Sequence, residues 1–210
     1  MKIVVMSDTH GFHKALSPPA GDVFVHCGDH CSFTGTEKET LAFLRWVQSL
    51  PHTHKVITVG NHDLWCETVD MKEVAAIYGI HCLIDDSVEI EDRIFYGSPY
   101  VPKYGDWAFM YDQHTYPHYT YLPENIDVLI THGPPYGHGD YVPDKRIHVG
   151  SLDLLNEVAR VKPKYHLFGH VHEGREVGRT KSELTPTIFI NAACWNHKTE
   201  ATYSAITFDI

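Results

Sequence analysis

Five short clusters of Asp, His and Asn punctuate this chain, each directly after an apolar run long enough to form a buried strand. They are Asp8-Thr9-His10, Gly28-Asp29, Gly60-Asn61-His62-Asp63, Thr131-His132-Gly133 and Gly169-His170-Val171-His172. The preceding runs, at residues 3–6, 23–26, 56–59, 128–130 and 165–168, are predicted as strands. Open α/β sheets present ligands beyond the carboxyl ends of their strands. Side chains from most of the sequence can therefore meet at one point, as the ligands of a metal-dependent hydrolase would.

Helical signals fall between the strands. Thr36 with Glu39 fits a capping box, and Leu41, Leu44, Val47 and Leu50 continue as an apolar face that Pro51 ends. Asp70 and Glu73 repeat the start signal, with Val74 and Ile77 following before Gly79. Ser151 opens a third helix carrying Leu152, Leu155, Val158 and Ala159. Further strands are expected at 81–84, 87–90, 93–96, 187–191 and 202–208. The pattern is that of an α/β chain with added antiparallel strands. Its 210 residues suit a single domain, 1–210.

Residues 97–125 break this rhythm. Tyr100, Tyr104, Trp107, Phe109, Tyr111, Tyr116, Tyr119 and Tyr121 alternate there with Pro99, Pro102, Pro117 and Pro123, and a short helix is expected near 106–111. Long irregular connections often serve function. Aromatic rings there would offer a wall on which a nucleobase can stack, and Tyr100 and Trp107 are candidate substrate contacts.

Charge narrows the substrate class. The chain carries 27 acidic against 17 basic residues, a formal net charge of −10. A long nucleic acid would meet net repulsion, since such binding rests on Lys and Arg neutralising phosphates. Lys162, Lys164, Arg175, Arg179 and Lys181 could form a local basic strip, although scattered charges usually mark a solvated surface. No stretch approaches bilayer-spanning length, and a strand starting at Lys2 leaves no room for a signal peptide. Cys27, Cys31, Cys66, Cys82 and Cys194 form an odd set without framework spacing, which points to reduced thiols in the cytoplasm. Histidine is in excess, with 17 residues. His13, His30, His52, His54, His81, His114, His118, His138, His148 and His197 have no evident partner in the sequence and are expected mostly at or near the surface.

The chemistry lies in two pairs spaced by two, one Asp-x-His and one His-x-His. In an extended strand end, Asp8 and His10 leave the backbone on the same side, as do His170 and His172. With Asp29, Asn61 and His132 they make a donor set of imidazole, carboxylate and one amide oxygen, suited to Mn, Fe, Zn or Ni. Seven donors exceed what one tetrahedral ion uses. Two divalent ions about 3.5–4 Å apart would account for them, with Asp29 as the natural bridge. Four positive charges, less Asp8, Asp29 and a bridging hydroxide, leave one facing outward, able to hold a phosphoryl oxygen.

In this order and at these intervals, the five motifs resemble the calcineurin-like metallophosphoesterases, over residues 4 to 172. The resemblance implies a four-layer α-β-β-α sandwich, two mixed β-sheets with helices outside. It implies Asp8, His10, Asp29 and His172 around one ion, and Asp29, Asn61, His132 and His170 around the other. It also implies that His62 protonates the leaving alkoxide, with Asp63 orienting it. The segment from Gly97-Ser98-Pro99-Tyr100 to Gly105-Asp106-Trp107-Ala108-Phe109 is similar to the metallophosphoesterase-domain-containing (MPPED-type) branch, whose members include class III cyclic-nucleotide phosphodiesterases. His30-Cys31-Ser32-Phe33, after Asp29, departs from that branch.

The activity so implied is hydrolysis of a small phosphodiester, a cyclic nucleotide among the candidates, by a metal-bridging hydroxide. Mn²⁺ is the first choice of metal, and a homo-oligomer is compatible. Phosphomonoester hydrolysis is the alternative, because the same core serves both. A non-catalytic scaffold of the same fold would be expected to lose His62, which this chain keeps. A metallo-β-lactamase-like site needs a compact His-x-His-x-Asp-His run, whereas Glu173, Gly174 and Arg175 follow His172.

Overall fold

The computed structural model describes residues 1–115, 117–177, 179–196 and 201–210. Tyr116 and His197, both named above, lie outside the described residues. Two mixed sheets dominate. In the first, the strands run Ile206–Asp209, Lys2–Met6, Val23–Cys27, His54–Thr58 and His81–Cys82, parallel except for the Ile206–Asp209 edge. In the second they run Arg179–Lys181, Ile188–Asn191, Tyr165–Phe168, Val128–Thr131, Arg93–Ser98 and Asp86–Ile90, with antiparallel pairs at both edges and parallel strands between.

Side-chain alternation explains why these sheets stack. Ile3, Val5, Val23, Val25 and Val56 face one way and meet Phe95, Val128, Ile130, Leu167 and Ile190 of the second sheet in an inner core. The intervening residues face outward under helices. Val4, Met6, Phe24 and Ile57 pack beneath α1 (Glu37–Ser49) and α2 (Met71–Ala76). Tyr96, Leu129, Phe168 and Phe189 pack beneath α3 (Leu152–Val161). Strands covered on both faces read as continuous apolar runs, which is why they stood out in the sequence. The result is the expected four-layer α-β-β-α sandwich. No helix among the described residues is long and apolar enough to cross a membrane.

The helices start where the sequence indicated and bury somewhat different faces. Thr36 caps α1 with a complete capping box through Glu39, but the fully buried face is Thr40, Phe43, Leu44 and Val47, with Leu41 and Leu50 only half-buried. Phe43 takes the central place because its ring stacks on His30, with centroids 4.4 Å apart. Asp70 caps α2 through the Lys72 and Glu73 backbone N–H groups. That helix buries Met71 and Ala75 and leaves Ile77 exposed. In α3, capped by Ser151, Leu154 is buried and Leu152 exposed.

Residues 106–111 are not helical. Phe109 is left-handed at φ 51°, and its N–H donates to Glu67 while its carbonyl accepts from Val101. This carries Met110–Tyr111 into a short parallel pairing with Val101–Pro102. The last expected strand divides into Ala201–Thr202 and Ile206–Asp209. The proposed basic strip is spread over separate contacts: Lys164 pairs with Asp127, whereas Arg175 and Arg179 donate to the Ser204 and Thr207 carbonyls.

Several histidines expected near the surface are interior. His13, His30 and His52 are buried, as are His26 and His166 within strands. His26 and His166 each meet a threonine hydroxyl, of Thr9 at 3.2 Å and Thr131 at 2.8 Å. Burial lowers the imidazole pKa to about 3 in both and to about 4 in His13. A depressed folded pKa contributes stability that is present above the unfolded value and lost as pH falls towards the folded one. Between pH 6.5 and 5 the unfolded chain takes up protons that these three rings refuse. His26 and His166 should each remove up to about 1.4 kcal/mol of stability per pH unit in that window, and His13 somewhat less. Urea unfolding at the two pH values would show this as a lower midpoint at pH 5, and an unchanged midpoint would contradict it.

Candidate metal centre

The parallel strands end at a shared edge of the sandwich, and the five motifs meet there. Asp8 follows Lys2–Met6, Asp29 follows Val23–Cys27 and Asn61 follows His54–Thr58 from the first sheet. His132 and His170 follow Val128–Thr131 and Tyr165–Phe168 from the second. The turns that aim these side chains are tight. Asp8, His10, Asp29 and His170 all adopt left-handed φ, between 40° and 65°. Such conformations cost about 1–3 kcal/mol each in non-glycine residues and gather at functional sites.

Glycine occupies the closest approaches. A methyl group on Gly169 would collide with Asp8 Oδ2 and Ser7 Oγ. One on Gly60 would meet Asp29 Oδ1 and, at 2.7 Å, the His132 ring.

The donors form two groups, each with its donor atoms within 4.8 Å of one another: Asp8, His10 and His172, and Asp29, His132 and His170. His172 Nε2 lies 3.1 Å from Asp8 Oδ1 and 3.3 Å from His10 Nε2. His132 Nε2 lies 3.3 Å from Asp29 Oδ2 and 2.9 Å from Asn61 Oδ1. Asp29 also comes within 3.9 Å of His10 Nε2, so it stands between the groups.

Backbone carbonyls fix two of the rings. His10 Nδ1 is 3.0 Å from the Cys31 carbonyl, and His132 Nδ1 is 2.9 Å from the Cys27 carbonyl. A carbonyl only accepts, so each Nδ1 carries hydrogen and each neutral ring turns an Nε2 lone pair inward. This is the outer support that metal-ligating histidines ordinarily have. Once deprotonated, the imidazoles join the carboxylates and the amide oxygen in turning lone pairs to one region, an arrangement that suits a cation.

The electrostatics agree. Burial acts to raise the Asp8 and Asp29 carboxyls, yet His172 beside Asp8 and His132 beside Asp29 hold both well below the usual range. Burial acts to lower His132, but Asp29 lifts it to about 9. His170, lowered by burial and by His132, falls to about 3. Protons thus balance the carboxylates until a metal ion displaces them. The ion pairs of Asp8 and Asp29 among the described residues are all with histidine.

His62 stands at the mouth. Its Nε2 is 4.0 Å from Asp29 Oδ2, and its ring is framed by Trp107 and Phe33, with centroids 4.4 and 4.9 Å away. Asp63 does not orient it. Its Oδ2 accepts from the Asp29 and Gly60 N–H groups at 3.0 and 2.8 Å, its Oδ1 accepts from Cys31 at 2.9 Å, and His30 lies 3.1 Å away. The carboxylate is consumed in binding the Asp29 loop to the Gly60 loop. His62 Nδ1 has no hydrogen-bond partner among the described residues.

Tyr100 also lies elsewhere. Its ring packs on His118 at 4.0 Å and on Phe109 at 5.8 Å, within the covering of the core. Sequence reasoning missed Phe33, which is 68% exposed beside His62, and did not single out Tyr104, whose hydroxyl accepts from Asn61 Nδ2 at 2.9 Å. An exposed aromatic just after a ligand motif was the available signal for Phe33. Beside His170 and Tyr104 opens a cavity of about 420 Å³, lined also by Lys103, Lys145, His148 and Glu173.

Comparison with known proteins accords with this geometry. The calcineurin-like phosphoesterase family model matches residues 1–174. The UPF0046 protein C25E10.12 of Caenorhabditis elegans is 38% identical, over 100% of this chain and 81% of that protein. Human metallophosphoesterase domain-containing protein 1 is 34% identical over 82% of this chain, and the match spans only 61% of that protein. Among solved structures, phosphopantetheinyl hydrolase (PptH) from Mycobacterium tuberculosis superposes with TM-score 0.61 at 13% identity, covering 91% of this chain and 88% of that one. TT1561 of Thermus thermophilus gives 0.60 at 13%, covering 99% and 98%. At such identity these two show a shared fold.

A divalent ion that binds only the folded chain must stabilise it. Mn²⁺ at a hundred times its dissociation constant should add about 2.7 kcal/mol. Thermal unfolding of chelator-treated protein with and without Mn²⁺ would show the rise, and Asp29→Asn should remove most of it. No shift in the parent protein would contradict a metal centre here.

Proposed function

The chain belongs to the calcineurin-like phosphoesterase family, and from that premise we propose that it is a dinuclear metal-dependent phosphodiesterase for a small substrate such as a cyclic nucleotide. The observation that carries this reading is the aromatic frame of Phe33 and Trp107 around His62, beside carboxylates whose ion pairs among the described residues are with imidazoles. Asp8, His10, Asp29 and His172 would hold one ion, and Asp29, Asn61, His132 and His170 the other. Mn²⁺ is the first choice, while Fe, Zn and Ni also accept nitrogen and oxygen donors of this kind. When bound, the ions activate water near neutral pH and offset the negative charge that grows at phosphorus.

The protein's own groups divide the remaining work. His62, half-buried at the mouth, is placed to donate a proton to the departing alkoxide. Phe33 and Trp107 offer faces on which a flat leaving group can stack. Asp63 acts from behind by holding the Asp29 and Gly60 loops in register. The acidic surface favours a small substrate over a long nucleic acid. Five buried free thiols suit a reducing cytoplasm, and self-association remains compatible with this reading.

The phosphomonoesterase alternative is favoured by one feature, the Lys103 and Lys145 side chains in the adjoining cavity, which could meet a dianionic phosphate. Rates on bis(p-nitrophenyl) phosphate and p-nitrophenyl phosphate with Mn²⁺ separate the two. The diester should be cleaved faster, with His62→Ala lowering kcat by about 10²- to 10⁴-fold. Asp29→Ala should abolish turnover. Faster monoester cleavage would support the alternative, and full activity in both variants would reject the site.

A further inference from the structure

Asn61 is fully buried, and its amide faces two ways. Oδ1 points inward, 2.9 Å from His132 Nε2 in the second donor group, while Nδ2 donates outward to the Tyr104 hydroxyl at 2.9 Å. The amide must keep this orientation to serve a cation, because a flipped Asn61 would present N–H hydrogens to the same place. His132 does not enforce it alone. With Nδ1 committed to the Cys27 carbonyl, His132 has only Nε2 for Asn61, and a cation held here would take that nitrogen and leave the amide without it.

Tyr104 comes from the irregular segment, which none of the five motifs contains. Its ring also lies 5.5 Å from that of His170, in the same donor group, and forms part of the cavity wall. Building on the two-ion reading above, we propose that Tyr104 is a positioning residue that fixes Asn61 as an oxygen ligand for the ion held by Asp29, His132 and His170. With the Tyr104 hydroxyl accepting the outward amide N–H, Oδ1 is the group that Asn61 turns inward. The irregular segment thereby becomes part of the metal centre as well as a wall beside it.

The test is metal binding rather than turnover. Mn²⁺ titration calorimetry on chelator-treated Tyr104→Phe should show one of the two ions bound about ten-fold more weakly, the scale on which outer supports of metal ligands act. Unfolding of the metal-free protein should be unchanged, since Tyr104 is 57% exposed. A double-mutant cycle with Asn61→Ala separates positioning from simple wall-building. In the Asn61→Ala background, Tyr104→Phe should cause no further loss. Unchanged affinity in Tyr104→Phe, or an equal loss in both backgrounds, would overturn the proposal. If Asp29→Ala also leaves Mn²⁺ binding intact, the metal-centre reading itself has failed.

Discussion

Asp8 and Asp29 are carboxylates with almost no access to solvent, held at the edge of an apolar sandwich. Burying an ionised carboxylate is costly unless it is paired and hydrogen-bonded. The surrounding architecture answers that constraint. His170 donates its backbone N–H to both Asp8 oxygens at 3.0 Å, and His62 donates its backbone N–H to Asp29 Oδ1 at 2.8 Å. The remaining oxygen valence is turned towards imidazoles, so the carboxylates stay ionised and ready for a cation.

A third buried carboxylate makes this possible from outside the donor set. Asp63 gathers N–H groups from Asp29, Cys31 and Gly60, joining loops from neighbouring strands that would otherwise move independently. One side chain thus satisfies three backbone donors: that of Asp29 itself, that of Gly60 beside Asn61, and that of Cys31, whose carbonyl holds His10. The ordering runs from Asp63, through the loop backbones, to the donors themselves.

Much of the centre was legible because parallel strands impose a simple rule. Continuous apolar runs, buried on both faces, identify the strands, and their carboxyl ends share an edge, so Asp8, His10, Asp29, Asn61, His132, His170 and His172 could be grouped from the sequence. The outer contacts were not legible, because they depend on long-range packing. Asp63 follows His62 in sequence yet turns to His30 and three backbone groups. Tyr104 reaches Asn61 across 43 positions. Phe43 outcompetes Leu41 for the core because a buried His30 ring awaits it. Residues 106–111 have helix-compatible composition, but the left-handed Phe109 and its bonds to Glu67 and Val101 impose a different path.

The central claim is that distant strand ends form one cradle for two cations. Anomalous diffraction from Mn²⁺-soaked crystals measures this directly. Two peaks about 3.5–4 Å apart are expected, one beside Asp8, His10 and His172, the other beside Asn61, His132 and His170, with Asp29 between them. A single peak, or peaks away from these side chains, would contradict it.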